Sequence, residues 1–136
     1  MAAEISQMKE MIVLADLNQP SPSERIRAIN QIKAYGTADE RTIAMLFNTL
    51  RGDSNTNVRL VAIEALAAHV DRPSVRQELI QSISLQESPL TQLALTDLMV
   101  GLNEKRATEQ LKSLLLRDDL NYAVRTRIEN SLKILM

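Results

Sequence analysis

Four segments of the chain repeat one pattern of apolar positions, at the spacing of an amphipathic helix. The clearest segment covers residues 57–66. Its pattern recurs 34 residues earlier, 32 residues later, and 34 residues after that. The aligned apolar positions are Ala28, Ile29 and Ile32; Val58, Ala62, Ile63 and Leu66; Leu90, Ala94, Leu95 and Leu98; and Val124, Ile128 and Leu132. The repetition predicts four helices that each bury the same face.

Further helical stretches lie before or between these segments, at residues 5–17, 39–51, 73–85 and 104–117. The signals between the stretches agree with this division, because Asp39 and Pro73 suit helix starts and Gly36 and Gly52 suit left-handed helix ends. The sequence therefore predicts eight helices in four hairpins. The hairpins are expected at about residues 5–35, 39–70, 73–101 and 104–135, within a single domain over residues 1–136.

One such hairpin cannot bury its own apolar stripe, so neighbouring hairpins must stack on one another. The predicted fold is all-α, a right-handed α-α superhelix, or solenoid, of four helical hairpins. A stack of this kind presents an extended surface, and its default use is to hold a partner along one face.

Composition narrows the chemistry of the 136-residue chain. Hydrophobic residues make up 45 % and aromatic residues only 2 %, so the core must consist of aliphatic side chains and methionine. A net charge of −1 argues against a nucleic-acid-binding protein, which normally has a basic patch. The absence of cysteine excludes disulfides and thiol chemistry. No apolar run reaches the roughly 18 residues that a membrane span needs.

Nothing in the sequence predicts a catalytic, cofactor-binding or metal-binding residue. His69 is the single histidine, and the glycines are predicted at helix ends and form no phosphate loop. The paired carboxylates at residues 39–40 and 118–119 suit helix caps and turns. We therefore expect a protein that is not an enzyme and that needs no cofactor.

The second hairpin carries the motifs of a known repeat. Residues 46–53, residues 57–59, Ala62 and Leu66 resemble the HEAT repeat in its short form, which is related to phycobilin-lyase-type repeats. Residues 114–125 of the fourth hairpin resemble it less closely. The first hairpin has a proline-rich turn, and in the third we align Thr91 with the arginine of the motif. The tetratricopeptide and ankyrin signatures are absent.

The resemblance to HEAT repeats implies a structural role for an arginine that recurs in the first turn of the second helix of a hairpin. In that family such an arginine bonds an aspartate near the turn within the hairpin, and its guanidinium can satisfy a carboxylate and carbonyls together. We expect Asp53 and Asp119, each six residues earlier in the chain, to pair with Arg59 and Arg125. The predicted ladder comprises Arg25, Arg59, Arg125, Asp53 and Asp119. Its alternative use is partner binding.

The exposed face of the second helices is the best candidate for partner binding. With the shared apolar positions inward, one row points outward, and basic side chains flank it. The predicted binding residues are Asn30, Glu64, Thr96 and Asn130 in the row, and Arg27, Lys33, Arg127 and Lys133 beside it. The alternative is that these side chains are simply solvated.

Both ends of the chain are unusually apolar for terminal repeats, which are normally polar. The residues concerned are Met8, Met11 and Ile12 at one end and Leu132, Ile134, Leu135 and Met136 at the other. Either they fold onto their own hairpins, or one end continues into a further segment or pairs with a second copy as a homodimer.

A second resemblance covers essentially the whole chain. Residues 7–11, 23–25, 57–59, 87–90 and 104–106 resemble the C-terminal region of certain bacterial envelope proteins. In that family a zinc-finger segment similar to anti-sigma factors precedes one transmembrane helix and a C-terminal HEAT domain. The resemblance implies a fragment whose natural start lies upstream, tethered to the inner membrane on its periplasmic, extracytoplasmic side. A cytoplasmic location is the alternative.

The function predicted from these observations is a non-enzymatic protein–protein interaction scaffold, the docking or sensing domain of a membrane-tethered bacterial regulator. The predicted partner is a protein, with no nucleic acid and no direct membrane contact. One alternative is a structural or oligomerisation module. Another is a HEAT-like enzyme, either a chromophore lyase or a DNA glycosylase, for which the chain has too few aromatic and basic residues.

Overall fold

A computed structural model describes residues 4, 8, 11, 15, 17–35 and 38–136. None of these residues forms a β-strand, and the all-α prediction is confirmed. The predicted helix at residues 5–17 lies largely outside the described residues, so the structure gives seven helices there where we counted eight. They are α1 (Pro22–Tyr35), α2 (Glu40–Gly52), α3 (Thr56–Ala67), α4 (Pro73–Ser82), α5 (Pro89–Gly101), α6 (Thr108–Leu115) and α7 (Tyr122–Leu135). Short 3-10 turns, Ile83–Leu85 and Lys105–Ala107, follow α4 and precede α6.

Side-chain caps fix most of the helix starts. The carboxylate of Asp39 accepts a hydrogen bond from a backbone N–H of α2, as the sequence predicts. The side chains of Asn55 and Asn121 each accept two such bonds at the starts of α3 and α7. Pro73 and Pro89 occupy first-turn positions of α4 and α5, where a missing N–H has no cost.

The left-handed residue of the fold is an asparagine. Gly52 ends α2 without a positive φ, so the left-handed ending predicted there is wrong, and Gly36 lies outside the described residues. After α5, Asn103 has a φ of 51°. The N–H groups of Asn103 and Glu104 donate to the carbonyls of Val100 and Met99, each at 2.9 Å. This is the bond pattern of a Schellman motif, in which asparagine can replace glycine.

The helices cluster into two compact units, Met1–Ala68 and His69–Met136. In the first unit α3 packs against both α1 and α2, and the buried core includes Ile29, Phe47 and Leu66. In the second unit α7 packs against α5 and α6, around Leu95, Leu114 and other buried residues. The helices that share the repeated apolar pattern thus pack on each other within each unit. The single domain over residues 1–136 stays a prediction.

The burial pattern of α5 corrects the predicted repeat frame. Thr91 and Thr96 are completely buried, whereas Leu90 is largely exposed. The hydroxyls of both threonines donate to backbone carbonyls one turn earlier, at 3.0 and 2.7 Å, so each buried polar group has a partner. The frame is therefore 33 residues after that of α3, and the predicted offset of 32 is wrong because it matched apolar residues only.

Replacing Thr96 with valine tests this corrected frame. Valine fills a similar volume but cannot bond the carbonyl of Gln92, so we expect the free energy of unfolding to fall by about 1 kcal/mol. Urea denaturation followed by circular dichroism measures the change. An Asp97→Asn variant, at the exposed neighbouring position, is the control and should change stability less. Equal stability of Thr96→Val and the natural protein would place Thr96 back on the surface.

The apolar ends divide between core and surface. Leu132 and Leu135 fold into the second unit as one of our two alternatives predicts, whereas Ile134 and Met136 are exposed. At the other end Met8 and Met11 are exposed as well, so the inward stripe predicted for them is wrong. Ile12 lies outside the described residues.

Candidate interaction surface

Ion pairs cross the outer face of the repeated helices in both units. Between α1 and α3, Lys33 Nζ lies 3.2 Å from Glu64 Oε2. Between α5 and α7, Arg127 Nη1 lies 2.7 Å from Asp97 Oδ1 and 2.9 Å from Oδ2. All four side chains are more than a third exposed. Neighbouring helices of each unit are therefore joined at their solvent-facing surface as well as in the core.

The structure places most of the predicted binding residues on this outer face. Asn30, Glu64 and Asn130 are exposed, and so are the flanking basic residues Arg27, Lys133 and those in the ion pairs. Thr96 is the exception, because the corrected frame puts it in the core and brings Asp97 into the row. We call the resulting set the outer row; it consists of Asn30 and Glu64 in the first unit and Asp97 and Asn130 in the second.

A shallow groove of about 450 Å³ follows α1 on the first unit. Arg27 and Asn30, both predicted to bind a partner, line it together with Ile26 and Ala34. Arg27 also lies 3.5 Å from Glu24, one turn earlier on the same helix. The groove combines a short apolar strip with an amide and a guanidinium, which suits a polypeptide surface better than a small apolar ligand.

A second set of charges lies at the turns between helices and is part-buried. Arg25 holds Asp53 in a bidentate pair, with Nε to Oδ2 at 2.8 Å and Nη2 to Oδ1 at 3.0 Å. Its remaining nitrogen Nη1 donates to the carbonyls of Gln19 and Pro20, each at 2.9 Å. The pair ties the start of α1 to the end of α2.

The second unit contains an equivalent pair that our sequence analysis missed. Arg76 Nε donates to Glu104 Oε2 at 2.6 Å, and Arg76 Nη2 donates to the carbonyl of Leu102 at 3.1 Å. Both arginines are the fourth residue of a helix that opens with Pro-Ser, and both carboxylates lie 28 residues further along. This shared Pro-Ser-x-Arg sequence, at residues 22–25 and 73–76, was the signal that could have predicted the second pair.

Two guanidinium groups surround the buried carboxylate of Glu104. Arg106 Nε and Nη2 each lie 2.9 Å from its oxygens, opposite the bond from Arg76. Hydrogen bonds from the side chain of Arg106, outweighing the opposing effect of burial, and further bonds from Arg76 lower the pKa of Glu104 from 4.5 to about 2. The carboxylate is therefore ionised throughout the physiological range.

Comparison with known proteins identifies the repeat. The sequence profile of HEAT repeats matches residues 43–133, which is more than half of the chain. The chain belongs to the HEAT-repeat family. No curated protein and no solved structure matches it. HEAT repeats generally mediate protein–protein interaction, which agrees with the predicted class of function.

The arginine ladder expected for a HEAT protein is rearranged. Asp53 bonds Arg25 across the first unit and not Arg59 of its own hairpin, so that predicted pairing is wrong. Arg59 makes a single long bond of 3.4 Å, to the hydroxyl of Thr56, and its buried Nε has no partner among the described residues. The first arginine of the ladder reaches the later turn because Asp53 follows the end of α2 directly.

The pairing predicted for the last HEAT hairpin is wrong as well. Arg125 donates to the carbonyls of Leu115 and Arg117 at 3.0 and 3.2 Å, and not to Asp119. Asp119 accepts from Arg117 instead, at 3.3 Å, and this bond lowers the pKa of Asp119. In α5 the corrected frame puts Gln92 where the arginine belongs, and it bonds the carbonyl of Gln86 at 2.8 Å. Position four of these helices thus bonds turn carbonyls whether or not a carboxylate is present.

The described part of this HEAT domain offers little for chemistry. His69 lies in the turn after α3. No group of three or more His, Asp or Glu side chains within the described residues is arranged to hold a metal ion. No described helix has the length and apolar content to cross a bilayer.

Proposed function

We propose that this HEAT domain is a non-enzymatic module that binds a partner protein through the outer row. The observation that carries the proposal is the joining of exposed polar side chains across adjacent helices by the Lys33–Glu64 and Asp97–Arg127 pairs. Charged groups held in this way form a pre-ordered pattern, which gives a partner orientation and specificity at low entropic cost.

The ion pairs suit exchange with a partner. Exposed pairs contribute roughly 0–1 kcal/mol each, so a bound protein can take over one member without a large loss of stability. The amides of Asn30 and Asn130 offer both donors and acceptors beside these charges. Together they favour a polar protein surface as the partner of this face.

Photo-crosslinking in cells that naturally make the protein tests the proposal. A photoreactive residue placed at Asn30 or Asn130 should capture a discrete partner band. The same residue placed at Lys112, an exposed position on α6 outside the outer row, is the matched control. Identical band patterns at the row and at Lys112, or no band from the row, would contradict binding through this face.

A charge reversal in the row gives a quantitative prediction. The double variant Glu64→Lys and Asp97→Lys replaces two exposed acids that face Lys33 and Arg127. Like-charge contacts then oppose the partner, and we expect crosslink yield to fall by about tenfold while the fold is kept. Glu109→Lys on α6 makes the same charge change away from the row and should leave the yield unaltered. Full capture by the double variant would exclude the outer row.

We further propose that the module is the docking or sensing domain of a membrane-anchored bacterial regulator, exposed on the extracytoplasmic side. The support is the resemblance of residues 7–11, 87–90 and 104–106 to the C-terminal domain of such envelope proteins. The full reading frame should then encode an upstream transmembrane helix. Protease added to intact spheroplasts should digest the domain, and a protected domain would place it in the cytoplasm.

A further inference from the structure

Large apolar side chains are exposed along one edge of the second unit. Leu85 and Leu90 flank the turn between α4 and α5 and are 59 % and 54 % exposed. Leu116 and Tyr122 flank the turn between α6 and α7 and are 83 % and 81 % exposed. We call this surface, residues 85–90 and 116–122, the turn edge. Single exposed apolar residues are ordinary, but a contiguous group marks an interaction site.

A hydrogen bond makes the two turns neighbours. Arg117 Nη1 donates to the carbonyl of Gln86 at 3.0 Å, and Arg117 also lies 3.7 Å from Glu87. Leu116 and Leu85 are the residues directly before this bonded pair. The helices that begin at the two turns, α5 and α7, pack on each other. The four apolar side chains therefore belong to one edge of the unit.

The repeat fold does not require this apolar edge. The corresponding turn of the first unit, between α2 and α3, consists of Asp53, Ser54 and Asn55, with Thr56 and Asn57 opening α3. That turn carries no large apolar side chain, although its hairpin closes equally well. In the second unit the core is filled by Ile83 and Leu114, which are completely buried beside the turns. Exposed leucine and tyrosine at the turn edge thus serve neither packing nor capping.

Acidic groups surround the apolar side chains. Glu87 and Asp119 have side chains 80 % and 70 % exposed, and Asp118 is exposed as well. The cations of the two turns are less available, because the guanidinium of Arg117 bonds Asp119 and the Gln86 carbonyl, and that of Arg125 bonds two further carbonyls. The surface that a partner meets is apolar with a negative rim.

We propose that the turn edge docks a peptide segment of a partner protein that combines leucine or aromatic anchors with lysine or arginine residues. The apolar anchors would cover Leu116 and Tyr122, and the basic residues would face Glu87, Asp118 and Asp119. This inference rests on the proposed function as a protein-binding module. It adds a second surface and states the chemistry of the partner there.

Three synthetic peptides of equal length test the proposal on the full chain. One contains lysine, leucine and phenylalanine, the second has glutamate in place of lysine, and the third has serine in place of leucine and phenylalanine. We expect the first to bind at least about tenfold more tightly than either other peptide. Its amide chemical-shift changes in nuclear magnetic resonance spectra should centre on residues 85–90 and 116–122. Added salt should weaken binding, because the carboxylates are exposed.

Variants of the protein separate specific docking from general stickiness. Leu116→Ser with Tyr122→Ser should reduce the affinity for the first peptide by about tenfold, with little change in stability because both side chains are exposed. Ile134→Ser removes another exposed apolar side chain of the same unit and should leave the affinity unchanged. Asp118→Asn should weaken binding of the lysine peptide only.

Several outcomes would overturn the proposal. Equal binding of the glutamate peptide would remove the acidic rim from it, and no binding of the first peptide would remove the edge altogether. Shift changes confined to the outer row would assign the peptide to that face and leave the proposed function standing. A natural protein that sediments as a dimer, and as a monomer after Leu116→Ser with Tyr122→Ser, would make a second copy the occupant of the edge.

Discussion

Replacing Arg25 with alanine is expected to lower the free energy of unfolding of the first unit by about 3 kcal/mol. The side chains of Arg25 and Asp53 are only 13 % and 9 % exposed, and two hydrogen bonds join them. Alanine leaves the carboxylate of Asp53 without its cation and the carbonyls of Gln19 and Pro20 without a donor. Such loss of one partner costs more than the pair itself contributes, because a charge stays behind in a poorly solvated place.

The chain supplies a matched control at the same position of the repeat. Arg59 is also the fourth residue of its helix but has no carboxylate partner and one long hydrogen bond. Arg59→Ala should still lower the melting temperature, but by less than Arg25→Ala. Lys33→Ala, which breaks an exposed ion pair, should change stability by no more than about 1 kcal/mol.

Urea denaturation gives the total change, and amide hydrogen exchange in α1 and α2 assigns it to the first unit. Arg25→Ala and Arg59→Ala variants of equal stability would show that the carboxylate pair contributes nothing beyond the backbone contacts. An Arg25→Lys variant should recover part of the loss at most, because an ammonium group cannot make the bidentate pair and the two carbonyl bonds in the same geometry.

The helices were predictable because their periodicity and their punctuation agree. Asp39, Pro73 and Ser88-Pro89 mark starts that the structure keeps. The frame of α5 was harder, because buried threonines bond backbone carbonyls of their own helix and so read as surface residues in a sequence. That one-residue error moved Thr96 into the predicted binding row and kept Asp97 out of its centre.

The pairing of charges was the least predictable part. Local spacing favoured Asp53 with Arg59, but the bonded partner is Arg25, 28 residues away. Sequence distance says nothing about which turn a long guanidinium side chain reaches, since that depends on how α1 packs on α3. The Pro-Ser-x-Arg sequence shared by both units carried the missing information, because it fixes the arginine at the same place on each helix. The exposed turn edge could not be predicted either, since leucines there resemble core leucines.

Replacing Glu104 with glutamine is expected to destabilise the second unit in a pH-dependent way. Each pKa unit corresponds to about 1.4 kcal/mol, so a fall from 4.5 to about 2 corresponds to about 3 kcal/mol of stabilisation at neutral pH. Arg106, the largest cause of the shift, has a side chain that is 60 % exposed, and screening by water reduces our expectation to about 2 kcal/mol. Glutamine keeps the shape but loses the charge that faces Arg76 and Arg106.

The sign of the pH dependence follows from the direction of the shift. The folded state holds Glu104 ionised more strongly than the unfolded state does, so the stabilisation is complete above the unfolded pKa of about 4.5. It is lost as the pH falls from there through the folded value near 2. The difference in unfolding free energy between the natural protein and Glu104→Gln should therefore be constant above about pH 5 and shrink steadily in acid.

Urea denaturation at a series of pH values measures this difference directly, since other carboxylates titrate alike in both proteins. Asp119→Asn is the control, because Asp119 also has a lowered pKa but a side chain that is 70 % exposed and paired with Arg117 at the surface. Its curve should run close to that of the natural protein at every pH. A Glu104→Gln difference that stays constant into strong acid would mean that the Schellman turn at Asn103, and not the charge of Glu104, holds α4 to the end of α5.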